Sequence, residues 1–345
     1  MPCRRGRICW TLKSLMALPP SKKCRCRGTV GAWGGCTQRW VETRHFTRAV
    51  GDDLATERTA RGPNGIIAGM SITYKDEAGI AGMREACRLA SEVLDYLTPH
   101  IQPGVTTLEI DRLSAEYMKQ QGTRSATIGY QPSGYPPYPG HLCTSLNHVI
   151  CHGIPNEKPL KKGDILNVDV TVITPEGWFG DNSRMFLIGG EAACSVAARR
   201  LCQVTFEAMW KGIEMVKPGV RLGDIGHAIQ VFAESNGFSV VREFCGHGIG
   251  QKFHEEPQVL HYGRPGTLEE LKPGMTFTIE PMINAGKREI KEMPDGWTIV
   301  TKDRSLSAQW EHTVLVTPTG YEVLTLSAGS PATPAFVATA ATSTA

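Results

Sequence analysis

The sequence predicts an α+β fold built from two similar halves that face each other, and internal repetition is the main observation behind this prediction. The segment Gln102-Pro-Gly-Val-Thr-Thr-Leu-Glu-Ile110 recurs 115 positions later as Lys217-Pro-Gly-Val-Arg-Leu-Gly-Asp-Ile225. Leu160-Lys-Lys-Gly-Asp-Ile-Leu-Asn-Val-Asp169 recurs at an offset of 111 as Leu271-Lys-Pro-Gly-Met-Thr-Phe-Thr-Ile-Glu280. Repeated order of this kind indicates a duplicated structural unit. Each half has the pattern helix, Pro-Gly turn, helix, loop and strands, so Asp169 and Glu280 are expected at equivalent places.

The charge distribution shows that two stretches of different character are joined in this chain of 345 residues. Its 41% hydrophobic and 21% charged residues are typical of a soluble globular protein. Residues 1–69 hold 13 Lys and Arg against 4 Asp and Glu, whereas the remainder holds 24 against 30. No stretch approaches the roughly 18 consecutive apolar residues that a membrane helix needs, so no membrane helix is predicted.

The basic arm, residues 1–69, allows three interpretations. A mitochondrial transit peptide is Arg-rich and acid-poor, as the arm is, but it is also Ser-rich and amphipathic, which the arm is not. A zinc knuckle requires two Cys pairs, and Cys24-Arg-Cys26 is a single C-x-C. The favoured interpretation is a disordered arm or a start codon assigned too far upstream, with Met70 as the natural first residue. We therefore expect a catalytic domain over residues 70–326.

Two helices are predicted at the start of this domain. Asp76 is a plausible cap for the first helix, which Pro99 ends, and its apolar positions have helical spacing: Ile80, Met83, Cys87, Val93, Leu94 and Leu97. The second helix runs from Thr107 to Gly122, where a glycine favours termination.

Strands follow, and they carry carboxylates. Leu142 to Cys151 is a strand-like stretch, and Asp164 to Ile173 is rich in β-branched residues. Pro175-Glu176-Gly177 has turn chemistry, and Trp178 to Phe186 resumes as a strand, so Asp169 and Asp181 lie on neighbouring strands of a hairpin. A carboxylate inside an apolar strand is costly to bury unless its charge is paired.

Further along the chain, Glu280 and Glu311 also interrupt strand-like patterns. Three strand carboxylates and Asp181 cannot share one interior in ionised form unless cations neutralise them. With one imidazole, most naturally His247, this set suits a pair of divalent ions about 3.5 Å apart, such as Mn²⁺, Fe²⁺, Co²⁺ or Zn²⁺. The alternative, acids on solvent-facing strand positions, fits any one of them but fits all four poorly.

Three other features have ordinary alternatives. His152 and His254 lie in unusual turns, where a single His is more often a surface or capping residue. Cys245-Gly-His-Gly-Ile-Gly250 lacks the full spacing of a dinucleotide loop, so no nucleotide cofactor is expected. A thiol nucleophile near His152 is disfavoured, since no Cys–His pair is indicated.

With no secretory leader recognised, the 11 cysteines are expected to be reduced. From Ser327 to residue 345, Ala, Thr, Ser and Pro dominate without charge, which predicts a disordered tail.

Seven motifs in this order resemble those of a type I methionine aminopeptidase, bacterial in form, of peptidase family M24. They are Cys151-His-Gly-Ile-Pro155, Asn167-Val-Asp169, Gly180-Asp-Asn-Ser-Arg-Met-Phe186, Cys245-Gly-His-Gly-Ile-Gly250, Phe253-His-Glu-Glu-Pro257, Ile279-Glu-Pro-Met282 and Gln309-Trp-Glu-His312. The resemblance implies the pita-bread fold of aminopeptidase P and prolidase, in which two pseudo-symmetric α/β halves surround a central antiparallel sheet. It covers neither the arm nor the tail.

The resemblance also implies roles for individual residues. Asp181 and Glu311 would bridge two divalent ions, Asp169 would serve one ion, and His247 and Glu280 would serve the other. His152 and His254 match substrate-contacting histidines, and Glu280 is the candidate proton shuttle. A methionine pocket would be formed by the following residues: Tyr130, Tyr138, Cys143, Phe253 and Trp297. The loop Gln131 to Pro137 is about three residues longer than the usual bacterial form, which leaves open whether Tyr135 or Tyr138 takes the second pocket position; counting back from Cys143 favours Tyr138.

The function that the resemblance implies is removal of the initiator methionine from nascent chains with a small second residue. A hydroxide held between the two ions would attack the first peptide bond. The alternatives are an X-Pro aminopeptidase of the same fold and an inactive pita-bread module that binds RNA or protein. We expect a cytoplasmic monomer that acts on nascent N-termini. The basic arm, if translated, offers an electrostatic contact to ribosomal RNA near the exit tunnel.

Overall fold

The computed structural model describes residues 71–337, which form four α-helices, two short 3₁₀ turns and fifteen strands. The helices are α1 (Glu77–Leu97), α2 (Thr107–Gln120), α3 (Val196–Ile213) and α4 (Leu222–Ser235). The 3₁₀ turns are Thr98–His100 and Glu191–Ala193. The strands are β1 (Arg124–Ser125), β2 (Cys143–Leu146), β3 (Val149–Cys151), β4 (Ile165–Ile173), β5 (Phe179–Leu187), β6 (Ser239–Val240), β7 (Gly246–Gly248), β8 (Glu255–Val259), β9 (Thr276–Ile279), β10 (Met282–Asn284), β11 (Ile290–Glu292), β12 (Ile299–Thr301), β13 (Ser307–Gln309), β14 (His312–Val316) and β15 (Tyr321–Val323).

Each half consists of a helix pair packed on antiparallel strands. In the first half, α1 packs on β4 and β5, which pair with each other along their whole length, while β1 and β2 pair with β4. In the second half, α3 packs on β9, β10 and β13, and the strand order of the main sheet is β15-β14-β9-β7-β8. The halves meet where Ser183 and Glu311 form an antiparallel bridge. This arrangement confirms the predicted α+β architecture.

The alternation of side chains along the strands separates core from site. On β4, Leu166, Val168, Val170 and Val172 contact the core that α1 and α2 cover. Successive strand residues point to opposite faces, so Asn167, Asp169 and Thr171 lie on the other face. The second half repeats this rule on β9, where Phe277 and Ile279 join the α3–α4 core. The polar faces of the two halves therefore face the same interior space.

The two predicted helices are confirmed, and α2 ends at Gln120, two residues before the predicted end at Gly122. Asp76 caps α1, because its Oδ1 accepts a hydrogen bond of 2.8 Å from Gly79 N. Thr106 caps α2 in the same manner, and Gly122 follows its end with φ +70°. A positive φ is the conformation that favours glycine after a helix. The predicted repetition of a helix pair in each half is also observed: α1 and α2 in the first half correspond to α3 and α4 in the second.

Two strand predictions require correction. The stretch Leu142 to Cys151 is not one strand: Asn147, with φ +55°, turns the chain between β2 and β3. Glu280 and Glu311 do not lie inside strands but at breaks, Glu280 between β9 and β10 and Glu311 between β13 and β14. Asp169 in β4 and Asp181 in β5 are the two candidate carboxylates that lie inside strands continuing on both sides. At Glu280 the reason for the break is local: the next residue, Pro281, has no N–H to donate to a ladder.

The contact between α1 and β5 depends on Gly180. A Cβ at this position would lie 2.2 Å from the carbonyl oxygen of Ala86 and 2.6 Å from the backbone N of Cys87. Because both are backbone atoms, no side chain can move aside to make room. Asp181 follows directly, so this close approach also fixes the helix against a strand of the site.

We expect Gly180→Ala to lower the free energy of unfolding by about 3 kcal/mol, the upper part of the usual range for overpacking. Urea denaturation measures the change. The matched control is Gly320→Ala, because a Cβ there meets nothing within 4 Å and its φ is not positive; it should change stability by less than about 0.5 kcal/mol. Equal stability of the two variants would contradict the close helix–strand contact.

The end of the described chain differs from the predicted tail. Ser327 Oγ and Gly329 N donate to the carboxylate of Asp95 at 3.0 and 3.1 Å, and Val337 packs against the α3–α4 core. Composition alone does not show that Ser and Gly here supply donors to a carboxylate on α1. Residues 1–70 and 338–345, including the proposed start at Met70, lie outside the described residues. Within residues 71–337, every helix is too short or too polar to span a bilayer.

Candidate metal centre

A cavity of about 320 Å³ lies between the polar faces of the two halves. All twelve residues that the sequence singled out for catalysis, substrate or metal line it: Tyr130, Tyr138, Cys143, His152, Asp169, Asp181, His247, Phe253, His254, Glu280, Trp297 and Glu311. Residues far apart in the sequence therefore converge on one site.

Four carboxylates and one imidazole form a cluster at this cavity. Carboxylate oxygens of Asp169, Asp181 and Glu311 all lie within 4.8 Å of one another. His247 Nε2 lies 3.7 Å from Asp181 Oδ2 and 3.7 Å from Glu280 Oε1. Asp181 and Glu311 are almost inaccessible to solvent, whereas Asp169 and Glu280 are half-buried at the cavity wall.

Burial and mutual repulsion disfavour the ionised form of every carboxylate in the cluster. Burial raises the pKa of Asp169 to about 7 and that of Glu280 to about 8. The pKa values of Asp181 and Glu311 are raised well above the ordinary range, first by burial and then by the neighbouring carboxylates. Divalent cations reverse this balance because they neutralise the charges that water cannot reach. The donor set, oxygen-rich with one nitrogen, therefore fits divalent metal ions.

The imidazole of His247 supports the same conclusion. Its Nδ1 lies 3.0 Å from the carbonyl oxygen of Gly248, which can only accept, so Nδ1 carries the proton. Burial lowers the pKa of His247 to about 4, so the ring is neutral at pH 7 and Nε2 bears a lone pair. That lone pair faces carboxylate oxygens of Asp181 and Glu280. A cation would bind the lone pairs of these three atoms: His247 Nε2, Asp181 Oδ2 and Glu280 Oε1. A backbone carbonyl that fixes the tautomer of the ring is typical of a metal-binding His.

Sequence reasoning missed the polar residues that orient the candidate ligands. Thr171 Oγ1 donates to Asp181 Oδ1 at 2.8 Å, and Thr278 Oγ1 donates to Glu280 Oε1 at 2.7 Å. Gln309 Nε2 donates to Glu280 Oε2 at 3.2 Å. Along the chain, Thr171 lies two positions from Asp169, Thr278 lies two positions from Glu280, and Gln309 lies two positions from Glu311. The period of two in a strand was the signal that could have found Thr171 and Thr278.

His261 was also missed, and no sequence signal pointed to it. It is fully buried, and its Nε2 accepts a hydrogen bond of 3.1 Å from the backbone N of Glu280. Burial lowers the pKa of His261 to about 3, which keeps Nε2 available as an acceptor. The contact fixes the backbone of Glu280 at the break after β9.

His254 and His152 approach the cluster from two sides. The ring of His254 lies 4.4 Å from that of His247, and its Nδ1 lies 3.0 Å from the Tyr130 hydroxyl. His152 has a φ of +55°, and its ring contacts Phe244 and Trp297 edge to face. Burial lowers the pKa of His152 to about 4 and holds that of His254 well below its ordinary value. Both rings are therefore neutral hydrogen-bonding groups.

Aromatic residues enclose the other end of the cavity. The Trp297 ring lies 5.2 Å from that of Tyr138 in an edge-to-face contact, and Cys143 belongs to the same buried cluster. The Phe253 ring lies 5.2 Å from that of Tyr130. Tyr138 lines the cavity, as counting back from Cys143 predicts, whereas Tyr135 lies behind Trp297. This apolar, sulfur-containing end suits a flexible thioether side chain.

The structure also argues against a dinucleotide-binding loop and against a thiol nucleophile. The segment Gly246–Gly248 forms β7 and leads to β8, so it does not open a helix as a dinucleotide loop does. Burial raises the pKa of the Cys143 and Cys151 thiols well above the usual range, which disfavours a thiolate nucleophile. The six cysteines within residues 71–337 are free, as expected for reduced thiols.

Comparison with known proteins agrees with this geometry. The chain is 54% identical over 259 residues to a methionine aminopeptidase of Escherichia coli K12, a match that covers 74% of this chain and 95% of the relative. The crystal structure of methionine aminopeptidase from Rickettsia prowazekii has a TM-score of 0.71 and 50% identity, and the match covers 74% of this chain and all of that one.

A prolidase from Pyrococcus furiosus, with 21% identity and a TM-score of 0.56, shares the fold; the match covers 74% of this chain and 65% of the prolidase. A model of the metallopeptidase family M24 matches residues 81–318, which include every candidate ligand. The chain therefore has the pita-bread fold and belongs to metallopeptidase family M24.

Proposed function

We propose that this protein removes the N-terminal methionine from nascent proteins and peptides, as a metalloaminopeptidase that prefers a small second residue. The observation that carries the proposal is one cavity with a ligand cluster at one end and a Tyr138–Trp297–Cys143 pocket at the other. Methionine aminopeptidases more than 50% identical to the chain support the assignment.

Five residues would hold the metal: Asp169, Asp181, His247, Glu280 and Glu311. We propose two divalent ions, chosen from Mn²⁺, Fe²⁺, Co²⁺ and Zn²⁺, because four carboxylates exceed what one divalent charge neutralises. When bound, such ions polarise the scissile carbonyl and make water acidic enough to react near neutral pH.

The chain's own residues perform the proton transfers and the positioning. Glu280 takes a proton from the attacking water and passes it to the leaving amine, a shuttle suited to a carboxyl group whose burial favours the protonated form. In the proposed tautomer, the Tyr130 hydroxyl donates to Nδ1 of His254, so Nε2 keeps its proton and donates to the developing oxyanion. His152 hydrogen-bonds the scissile amide.

Substrate selection follows from the same cavity. The first side chain enters the aromatic end, and the rest of the peptide extends past Phe244, Arg242 and Tyr262, which also line the cavity. A bulky second residue meets Phe244 and His152, whose rings contact each other. Nascent N-termini are the proposed substrates, in the cytoplasm and close to the ribosome, for a monomeric enzyme.

Removal of metal tests the proposal. Dialysis against a chelator should lower kcat/KM for Met-Ala-Ser at least about 100-fold, because metal ions supply several kcal/mol of transition-state stabilisation and each 1.4 kcal/mol is about tenfold. Titration with each of the four metals should restore activity, and calorimetry gives the number of ions bound.

The competing functions give different results in the same assay. An X-Pro aminopeptidase would hydrolyse Ala-Pro-Ala faster than Met-Ala-Ser, and a binding module would hydrolyse neither. A chelated protein that is free of metal by elemental analysis and yet keeps its full rate would contradict the role of the cluster.

A further inference from the structure

The loop Gln131–Pro137 lies next to the aromatic end of the cavity, and its base carries two pocket residues. Tyr138 N donates to Tyr130 O at 2.8 Å, and Gly129 N donates to Tyr138 O at 2.8 Å. These hydrogen bonds close the loop between Tyr130 and Tyr138, which both line the cavity. The conformation of the loop therefore affects the spacing of two pocket walls.

The tip of the loop is a defined turn. Tyr135 N donates to Pro132 O at 3.1 Å, and Gly134 has φ +87°. A hydrogen bond from residue i+3 to residue i with a positive φ at i+2 indicates a type II turn, which favours glycine at that position. Gln131 Nε2 also donates to Tyr135 O at 3.0 Å, which connects the two sides of the loop. The turn directs Tyr135 and Pro136 toward a single neighbour.

That neighbour is Trp297. Its indole Nε1 donates to Pro136 O at 2.9 Å, and its ring centroid lies 5.6 Å from that of Tyr135. Pro136 also packs on Gly296, where a Cβ would lie 3.1 Å from Pro136 Cδ. Trp297 is 7% exposed, so its N–H depends on a protein acceptor, and an unsatisfied buried donor is costly. The loop supplies that acceptor from the backbone.

Pro132 of the loop lines the cavity itself, and the rest of the loop reaches the site through the side chain of Trp297. Its ring contacts those of Tyr138, Tyr130 and His152, at centroid distances of 5.2, 6.3 and 6.1 Å. A shift of the indole would therefore change the aromatic wall and the packing of His152 together. The backbone of Trp297 is held separately: its N–H donates a hydrogen bond of 2.9 Å to Oδ1 of Asp295.

We propose that the loop Gln131–Pro137, through Tyr135 and the carbonyl of Pro136, is a positioning element that fixes Trp297 and thereby sets the discrimination for methionine as the first residue. The inference rests on the proposed function of the cavity. It goes beyond that function because Tyr135 and Pro136 lie behind the pocket wall and act through Trp297.

The first experiment deletes Ser133, Gly134 and Tyr135, which shortens the loop by three residues, and a second variant is Tyr135→Ala. KM for Met-Ala-Ser should rise about five- to tenfold with kcat within about threefold, the size of a lost aromatic contact. The ratio of kcat/KM for Met-Ala-Ser over Leu-Ala-Ser should fall by a similar factor. The matched control is Ser133→Ala, an exposed residue of the same turn, which should leave both values unchanged.

A second measurement keeps the loop inference separate from the proposed function. Hydrogen exchange of the Trp297 indole N–H, assigned by its loss in Trp297→Phe, should be slow in the wild type and at least about tenfold faster in the shortened variant. Slow exchange in both the wild type and the shortened variant would overturn the loop's role. So would a Met/Leu ratio that is the same in the loop variants as in a wild type that hydrolyses Met-Ala-Ser. A wild type that cleaves neither peptide would overturn the proposed function, while the exchange rates would still decide whether the loop fixes Trp297.

Discussion

Glu280→Gln is expected to lower kcat for Met-Ala-Ser by about 10³-fold, within the range of a lost proton transfer group. The amide has the same shape as the carboxylate, but it cannot take a proton from water. The amide also lacks the negative charge and has one oxygen, whereas both oxygens of Glu280 now accept hydrogen bonds, from Thr278 Oγ1 and Gln309 Nε2. We therefore expect weaker binding of divalent ions, measured by calorimetry on the metal-free protein.

The control for this substitution is Glu322→Gln on β15. Glu322 is a surface carboxylate paired with Arg84 at 2.6 Å, and it is not among the residues that line the cavity. Since exposed ion pairs contribute at most about 1 kcal/mol, this variant should keep wild-type activity. Full turnover by Glu280→Gln with metal bound would exclude the proton-shuttle role. Full turnover without metal would exclude the candidate ligand as well.

The fold could be predicted because its determinants are local and repeated. Asp76, the Pro-Gly turns and Gly122 mark helix boundaries through capping and backbone conformation, which depend on few neighbours. The hairpin of β4 and β5 follows from β-branched residues around Pro175-Glu176-Gly177. The breaks at Glu280 and Glu311 were not predicted, because the apolar pattern continues on both sides of each residue.

The candidate ligands could be predicted because buried carboxylates need compensation wherever they occur. Asp169 and Asp181 lie on one hairpin, so their buried charges need compensation at the same place. The internal repeat puts Glu280 at the position equivalent to Asp169. The residues that orient them were beyond this reasoning. Thr278 and His261 act through hydrogen bonds whose partners are set by the approach of β7, β8 and β9, which the sequence does not specify.

The long loop illustrates the same limit. Its length was apparent from the spacing of Tyr130 and Cys143, yet its contact with Trp297 joins residues more than 150 positions apart. Tyr135 is an ordinary loop aromatic in the sequence, and only the structure places it behind the pocket wall. Long-range contacts between irregular segments have no periodic signal, and function is concentrated in such segments.

His254→Ala is expected to lower kcat by about 10²–10³-fold with a much smaller effect on KM, the result for a donor that binds the transition state more strongly than the substrate. The physical basis is the neutral ring: burial and the nearby His247 and His152 hold its pKa well below the ordinary value, so it donates without carrying charge. Steady-state kinetics on Met-Ala-Ser give both constants.

Tyr130→Phe separates the role of the tautomer from the role of the ring. It removes the hydroxyl 3.0 Å from His254 Nδ1 but keeps the aromatic packing against Phe253, so kcat should fall by only about tenfold, the value of one hydrogen bond. His100→Ala, an exposed histidine outside the cavity, should leave kcat unchanged. A rise in KM at constant kcat for His254→Ala would instead mean that His254 binds substrate and transition state equally. In that case the stabilisation of the oxyanion would have to come from the divalent ions that the five candidate ligands would hold.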